Sequence, residues 1–443
     1  MLKAGFISLG CSKNLVDTEN MLGILEKNGI ELTHKAEEAD VLIVNTCAFI
    51  QSAKEESITN ILSMAEYKKH GRCRSLIVAG CLGQRYGQEL LNDMPEIDAI
   101  VGTGSWSHIM EAVQATVYDH KRVLITGESK EIYSAATPRI YTTPSYTANI
   151  KIAEGCNHRC AFCAIPYIRG NYRSRTIEDI KHEVEMLALR GVKEFNIIAQ
   201  DTTYYGTDLY GKPSLAALLK ELASIEKVKW LRIQYAYPHT FTDELIDLVA
   251  SEDKICKYID LPLQHAHNDV LKRMRRTDTT ESIELLLQKI RERIPGVAVR
   301  SSFIVGFPGE TPSQYAYLRS FLEKHKFDKV GIFTYSREEG TPAYDMPKQV
   351  PENVMQERYH DLMSVQSKIS ETVNRHMEGK IVEVLVEGRD DEQNIAYGRS
   401  YREAPEVDGK VFIEGDETSR PGDMVKVRIL QGFDYDVVGE RAD

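Results

Sequence analysis

Four short apolar runs open the chain: KAGFISLG from Lys3, VLIVNTC from Val41, SLIVAGC from Ser75 and AIVGTG from Ala99. Each is brief and apolar, as buried strands are. Between them, apolar residues recur at helical spacing over Leu15–Lys27, Ala53–Lys68 and Gln84–Asn92. Strands alternating with helices predict a parallel sheet, and so an α/β domain over residues 1–120. The pattern then breaks. Ser, Thr, Tyr and Pro dominate Gly127 to Thr147, as in TPRIYTTPSYT, and residues 121–147 are expected to be a linker. Six more strand-like runs follow between Asn149 and Tyr335: NIKIAE, EFNIIAQD, LRIQYAYP, KYIDLPLQ, AVRSSFIVGFPGE and KVGIFTYS. Helical spacing separates them. Six β/α units predict an open, partial (βα)6 barrel, assigned to residues 148–375. A long helical stretch, Glu352–Met377, ends it. The pattern over residues 376–443 changes to short alternating strands: KIVEVLVEG, IAYGRS, KVFIEG, MVKVRILQGF and YDVVGE. Gly and charged turns between them predict a small antiparallel β-barrel of the OB style. No low-complexity tract or short-period repeat intervenes.

Composition adds bounds. The chain has 443 residues, 42% hydrophobic and 27% charged, the balance of an ordinary globular protein of two or three domains. Eight cysteines spread through so long a chain do not form a small disulfide scaffold. The start, MLKAGFISLGC, is too short and too soon interrupted for a signal peptide. No apolar run approaches the roughly 18–20 residues that span a bilayer. A reduced, cytoplasmic protein without membrane contact is expected. Net charge is −11, and its distribution is uneven. From His376 onward there are 9 Lys and Arg against 17 Asp and Glu. Binding to a phosphate backbone needs a basic excess. An acidic module favours a basic protein partner, or serves as a solvated surface.

The chemistry lies in the cysteines. Cys156, Cys160 and Cys163 form a Cys-x-x-x-Cys-x-x-Cys run within AEGCNHRCAFCAIPYIRG. Three thiolates so spaced can hold three irons of a cubane iron–sulfur cluster and leave the fourth iron without a protein ligand. A cluster with four cysteines is closed and mostly passes electrons. An open metal position can bind a reactant, as catalytic zinc sites do. Gly155 permits a tight turn before the first ligand, and Phe162 can shield the loop from water. A zinc site short of one ligand, or a redox Cys-x-x-Cys pair, are the blander readings. Cys11, Cys47 and Cys81 each follow one of the first three strands. Ligands bind beyond the carboxyl ends of strands in an open parallel sheet. The trio is therefore expected to converge on a second three-cysteine cluster, the alternative being three unrelated core residues. Cys73 and Cys256 precede strands and read as ordinary thiols. Glu154, Gln200, Asp201, Tyr237, Gln264, His265, Gly306 and Tyr335 fall at the C-terminal ends of barrel strands, where such barrels carry function. Gln200, Gln264 and Gly306 are the candidate cofactor neighbours. Gly306, Pro308 and Gly309 allow close backbone approach. His265 and His267 read as hydrogen-bonding or surface residues before metal ligands.

The Cys156–Cys163 loop resembles the signature of the radical S-adenosylmethionine (SAM) superfamily, in which the open iron chelates SAM and reduction yields a 5′-deoxyadenosyl radical. The order of a three-cysteine α/β domain, a barrel and a small β-barrel is similar to the methylthiotransferase family over the whole chain; the last module is there called TRAM. The resemblance implies two 4Fe–4S clusters. One, at Cys11, Cys47 and Cys81, supplies or carries sulfur. The other, at Cys156, Cys160 and Cys163, binds SAM, which is both radical source and methyl donor. An electron donor is implied as a partner. One branch of the family modifies an adenosine beside the tRNA anticodon. The other modifies an aspartate of ribosomal small-subunit protein twelve. SLGCSKNLVDTE, AQDTTYYGTDL and DLPLQHAHNDVLKRMRR resemble the second branch, where tRNA enzymes tend to read Gln-Met-Asn, Gly-Gln-Asn-Val and Ser-Gly-Ser. His267 stands where a smaller residue is the rule. The acidic last module agrees: it should attract a basic ribosomal loop and repel tRNA. The implied reaction adds a methylthio group to the aspartate β-carbon of protein twelve, free or in the small subunit. The rival readings are a tRNA adenosine methylthiotransferase and a non-catalytic iron–sulfur carrier or scaffold.

Overall fold

A computed structural model of the chain describes residues 1–128, 132–390, 392 and 395–442. The first domain is a six-stranded sheet in the order β2-β1-β3-β4-β5-β6. Its strands are β1 (Lys3–Ser8), β2 (Glu31–Thr33), β3 (Val41–Thr46), β4 (Ser75–Gly80), β5 (Ala99–Gly102) and β6 (Val123–Ile125). Every pairing is parallel. β3 and β4 are buried along their whole length, which explains their unbroken apolar character. The helices are α1 (Ser12–Lys27), α2 (Gln51–His70) and α3 (Cys81–Asp93), followed by the short α4 (Ile109–Val113).

α3 starts three residues earlier than its apolar spacing suggests, so Cys81 begins a helix rather than lying in a loop. The cause is glycine. A Cβ on Gly83 would lie 2.8 Å from Ile100 Cγ2, and one on Gly87 would lie 2.7 Å from Leu124 Cδ1. These glycines let the helix press onto the sheet, although in sequence they look like breakers.

The stretch expected to be a linker is built into the domains it joins. Val123–Ile125 adds the sixth strand, pairing with β5. Arg139 is almost fully buried and bonds Glu19 of α1 (2.6 Å) and Glu183 of the barrel helix Ile177–Leu189 (2.7 Å).

The second domain carries six parallel strands as two sheets, β11-β10-β7 and β12-β13-β14. These are β7 (Thr147–Lys151), β10 (Glu194–Ile198), β11 (Trp230–Ile233), β12 (Tyr258–Asp260), β13 (Ala298–Val305) and β14 (Lys329–Thr334). A bridge between Leu231 and Ile255 joins the halves. The partial barrel stays open between β7 and β14. A short ribbon, β8 (Ala153–Glu154) with β9 (Arg173–Ser174), brackets the three-cysteine loop and the helix α5 (Ile165–Arg169).

Five strands close the C-terminal barrel in the order β15-β16-β17-β19-β18: β15 (Ile381–Asp390), β16 (Ile395–Ser400), β17 (Val411–Glu414), β18 (Met424–Gly432) and β19 (Val437–Arg441). Four of its pairings are antiparallel. The closing pair β17–β19 is parallel, a detail that alternating hydrophobicity cannot reveal. This barrel docks on the N-terminal ends of the β10 and β11 strands. Glu194 accepts from Nη1 and Nη2 of Arg399 (3.0 and 2.6 Å) and from Arg232 Nε (2.9 Å). Arg232 in turn donates to the carbonyls of Ser400 and Tyr401.

Candidate active site between two three-cysteine edges

β1, β3 and β4 are adjacent in the sheet, so the residues that follow them leave the same edge side by side. Ser8 pairs with Asn45, and Thr46 with Gly80. Cys47 and Cys81 thus depart from neighbouring strands spaced about 5 Å apart. Gly10 and Gly80 make this approach possible. Both have positive φ, +87 and +89. A Cβ on Gly10 would lie 3.2 Å from Cys47 Sγ, and one on Gly80 would lie 2.2 Å from Asn45 Oδ1. Side chains then pin the edge. Asn14 donates to the carbonyls of Leu9 (2.7 Å) and Thr46 (3.2 Å), and Ser57 bonds both the N–H and the carbonyl of Cys47.

The thiols feel one another. Burial pushes the Cys81 thiol up to about 12; Arg169 pulls it down, while Cys11 and Cys47 push it further up. Cys47 is raised by burial and by Cys11. For Cys11, burial acts upward, but Lys13, Arg169 and nearby N–H groups outweigh it and the thiol falls below its ordinary value. Cys11 is the exposed member of the trio. Its position is the one most open to a reactant.

On the barrel, Cys156, Cys160 and Cys163 lie in a loop held from several sides. The Cys156 N–H donates to Gly170 O, and Ala161 bonds Met274 and Ala343 through its backbone. His158 Nε2 is 2.5 Å from Asp201 Oδ2, and its ring stacks on Tyr237 at 3.8 Å. Arg276 covers the ring of Tyr237 at 4.0 Å. Burial pushes the Cys156 thiol up to about 12 and raises Cys160 and Cys163. Among the described residues, no three His, Cys, Asp or Glu side chains gather tightly enough to hold a single metal ion. A cubane's ligands need not, because each binds a different iron.

A buried ion network joins the two edges. Arg169, the last residue of α5, donates to Cys81 Sγ (3.7 Å) and Asn14 Oδ1 (3.2 Å) with one nitrogen. With the other it donates to Asp17 (3.0 Å) and Glu154 (2.9 Å). Lys151 pairs with the same two carboxylates. Ala164 and Ile168 of the barrel loop pack into the apolar core beneath Cys81, and Thr103 donates to Ile168 O (2.7 Å). Lys13, two residues past Cys11, lies 3.1 Å over the Tyr235 ring.

The other expected residues divide by role. Gln200 donates to Glu154 (2.9 Å), and its buried Oε1 has no partner. Gln264 holds a positive φ of 71 while bridging to β13, the kind of strain that clusters at functional sites. Gly306 makes its close approach to the protein itself: a Cβ there would lie 2.2 Å from Met355 Cγ, and its N–H donates to Glu310. Asp201 caps Thr203 and Tyr204 besides holding His158. His265 accepts from the His267 N–H, and His267 caps the helix Asn268–Arg273. The Tyr335 hydroxyl is buried without a partner, and Phe162 packs beside Ala161, Phe307 and Tyr335. Cys73 bonds Ser75 O, and Cys256 is buried beside Arg232. Asp17, Lys151 and Arg169 carried no sequence signal, except that Arg169 is a lone cation in an apolar helical turn.

Residues 3–102 match the uncharacterized protein family UPF0004, residues 150–322 the radical SAM superfamily and residues 379–441 the TRAM domain. The ribosomal protein uS12 methylthiotransferase RimO of Desulforamulus reducens is 51% identical over 443 residues, covering 100% of both chains. The chain belongs to the RimO family. The RimO of Pelotomaculum thermopropionicum is 52% identical over 440 residues, 99% of each chain. Radical SAM methylthiotransferases of this family use SAM and two 4Fe–4S clusters, which agrees with two separate three-cysteine edges. The fold extends further. The radical SAM methyltransferase TsrM of Kitasatospora setae superposes with a TM-score of 0.58 at 15% identity, over 77% of this chain and 73% of its own. No helix among the described residues is long and apolar enough to cross a membrane.

Proposed function

We propose that the chain adds a methylthio group to the β-carbon of an aspartate in ribosomal protein uS12. In this reading Cys156, Cys160 and Cys163 hold the SAM-binding cluster, and Cys11, Cys47 and Cys81 hold the auxiliary one. The main support is the juxtaposition of the two cysteine edges, tied through Arg169 to both Cys81 and the β8 strand that leads into Cys156. When bound, the clusters and SAM supply hydrogen abstraction, sulfur insertion and methyl transfer.

The chain's own residues do the rest. Gly10 and Gly80 bring the first trio to one edge. Asp201, His158, Tyr237 and Arg276 hold the second loop rigid, so its distance from the first trio is set before any substrate arrives. The unpartnered Gln200 Oε1 needs a donor, as buried acceptors do, and the SAM amino group is a fitting one. Gln264 and Gly306 are assigned to the same SAM region because they lie at strand exits of the barrel. The acidic C-terminal module and the net charge of −11 favour a basic ribosomal protein and disfavour tRNA. An external electron donor and a cytoplasmic location belong to the same reading.

The test is anaerobic turnover of the reconstituted protein with SAM, a reductant and either small ribosomal subunits or tRNA. Methylthiolation of the uS12 peptide alone supports the proposal, and methylthiolation of tRNA alone overturns it. Absence of 5′-deoxyadenosine would favour the non-catalytic carrier.

A further inference from the structure

The Arg169 network is more than a fold contact. Its side chain is 2% exposed, and it faces two carboxylates, an amide and a thiol. Asp17 and Glu154 are balanced by Lys151 and Arg169, so the network is neutral without the cysteine. A thiolate at Cys81 would be an additional anion at that point. Arg169 is the cation placed to receive it, through the nitrogen not engaged by the carboxylates. The same residue is covalently part of the loop that carries Cys163, six positions earlier.

We infer that Arg169 is a positioning residue shared by both cofactor sites: it donates an N–H to the Cys81 sulfur, makes the auxiliary cluster easier to reduce and fixes its distance from the SAM loop. The physical ground is general. Hydrogen bonds and positive charge at ligating sulfurs stabilise the reduced, more negative cluster and raise its potential. Lysine would keep the charge on the carboxylates but has no second arm to span both them and the sulfur.

The inference rests on the ligand assignment proposed above, so its test separates the two. The parent is the full chain with Cys156, Cys160 and Cys163 replaced by Ala, reconstituted anaerobically. If this parent with Arg169 intact binds no cluster, the ligand assignment fails and the inference with it. If it binds one, Arg169→Lys is introduced, and the cluster's midpoint potential is followed by redox titration with electron paramagnetic resonance. The expected result is retained iron with a more negative potential, by at least a tenfold change in the reduction equilibrium, which is about 59 mV for one electron. Retained iron with an unchanged potential overturns the inference. Leaving Asn14 Oδ1 and Cys81 Sγ without their buried donor endangers folding. Should Arg169→Lys not fold, the charge-balanced pair Asp17→Asn with Arg169→Gln takes its place, with the same two outcomes. In the protein with all six cysteines, Arg169→Lys should lower methylthiolation more than 5′-deoxyadenosine formation. Equal loss of both would contradict the role at Cys81.

Discussion

Gly80→Ala tests the geometry of the first cysteine edge with a single methyl group. Gly80 has φ +89 and ψ −151, a region essentially closed to other residues. Holding alanine there costs about 1–3 kcal/mol. The new Cβ would also lie 2.2 Å from Asn45 Oδ1 and 2.7 Å from the Thr46 carbonyl. Asn45 cannot swing aside freely, because its amide donates to Asn14 O and Thr18 Oγ1, each at 2.8 Å. Overpacking of this kind adds about 1–3 kcal/mol. The sum, about 2–6 kcal/mol, is large beside the roughly 5–15 kcal/mol that stabilises a domain. Relief must come from moving the start of α3 or the end of β3, and either motion separates Cys81 from Cys47. The assay measures iron and sulfide per chain after reconstitution, together with the two products. The expected result is iron for about one cluster instead of two, with 5′-deoxyadenosine still formed and methylthiolation lost. Full iron content with undiminished methylthiolation would refute the reasoning about this edge.

Three further outcomes follow from the same structure. Cys11→Ala should abolish methylthiolation while SAM cleavage persists; full activity with an intact SAM cluster would remove the sulfur-supply role from this trio. Burial works to raise Glu194, but Arg399 and Arg232 outweigh it and hold the carboxyl down to about 2. Its stabilising effect is therefore present above its ordinary value and lost as pH falls towards 2. Glu194→Gln should destabilise the junction with the C-terminal barrel by about 3–5 kcal/mol at neutral pH, because it leaves the buried Arg232 without a carboxylate and Arg399 with Glu387 alone. Protease release of that barrel would report it, and wild-type resistance at neutral pH would contradict it. Because burial pushes the Cys81 and Cys156 thiols up to about 12, they are protonated near neutrality, and cluster binding must release their protons. Anaerobic cluster loading should therefore rise with pH across the neutral range, and a flat profile would count against the buried-thiol description.

The strands and the cysteines that follow them were legible because fully buried parallel strands are unbroken apolar runs, and a cysteine ending such a run is conspicuous. Cys11, Cys47 and Cys81 meet because their strands are neighbours, and that neighbourhood follows from a simple β/α progression. The start of α3 was hidden by Gly83 and Gly87, whose use is to let a helix approach a sheet. Val123–Ile125 was hidden by its brevity inside a Pro- and Thr-rich stretch. The network of Asp17, Lys151, Glu154 and Arg169 was invisible for a deeper reason. Its members come from two domains and four elements, and no periodicity links a buried arginine to partners so far away in sequence. Gly306 shows the converse. Its turn suggested a ligand, whereas the side of the residue is filled by Met355.

The most direct measurement is mass spectrometry on cells with and without the gene, covering both digested small-subunit proteins and tRNA nucleosides. The account predicts loss of the methylthio group from the aspartate peptide of uS12, with tRNA methylthioadenosines unchanged. Loss from tRNA with an unaltered uS12 peptide would contradict it.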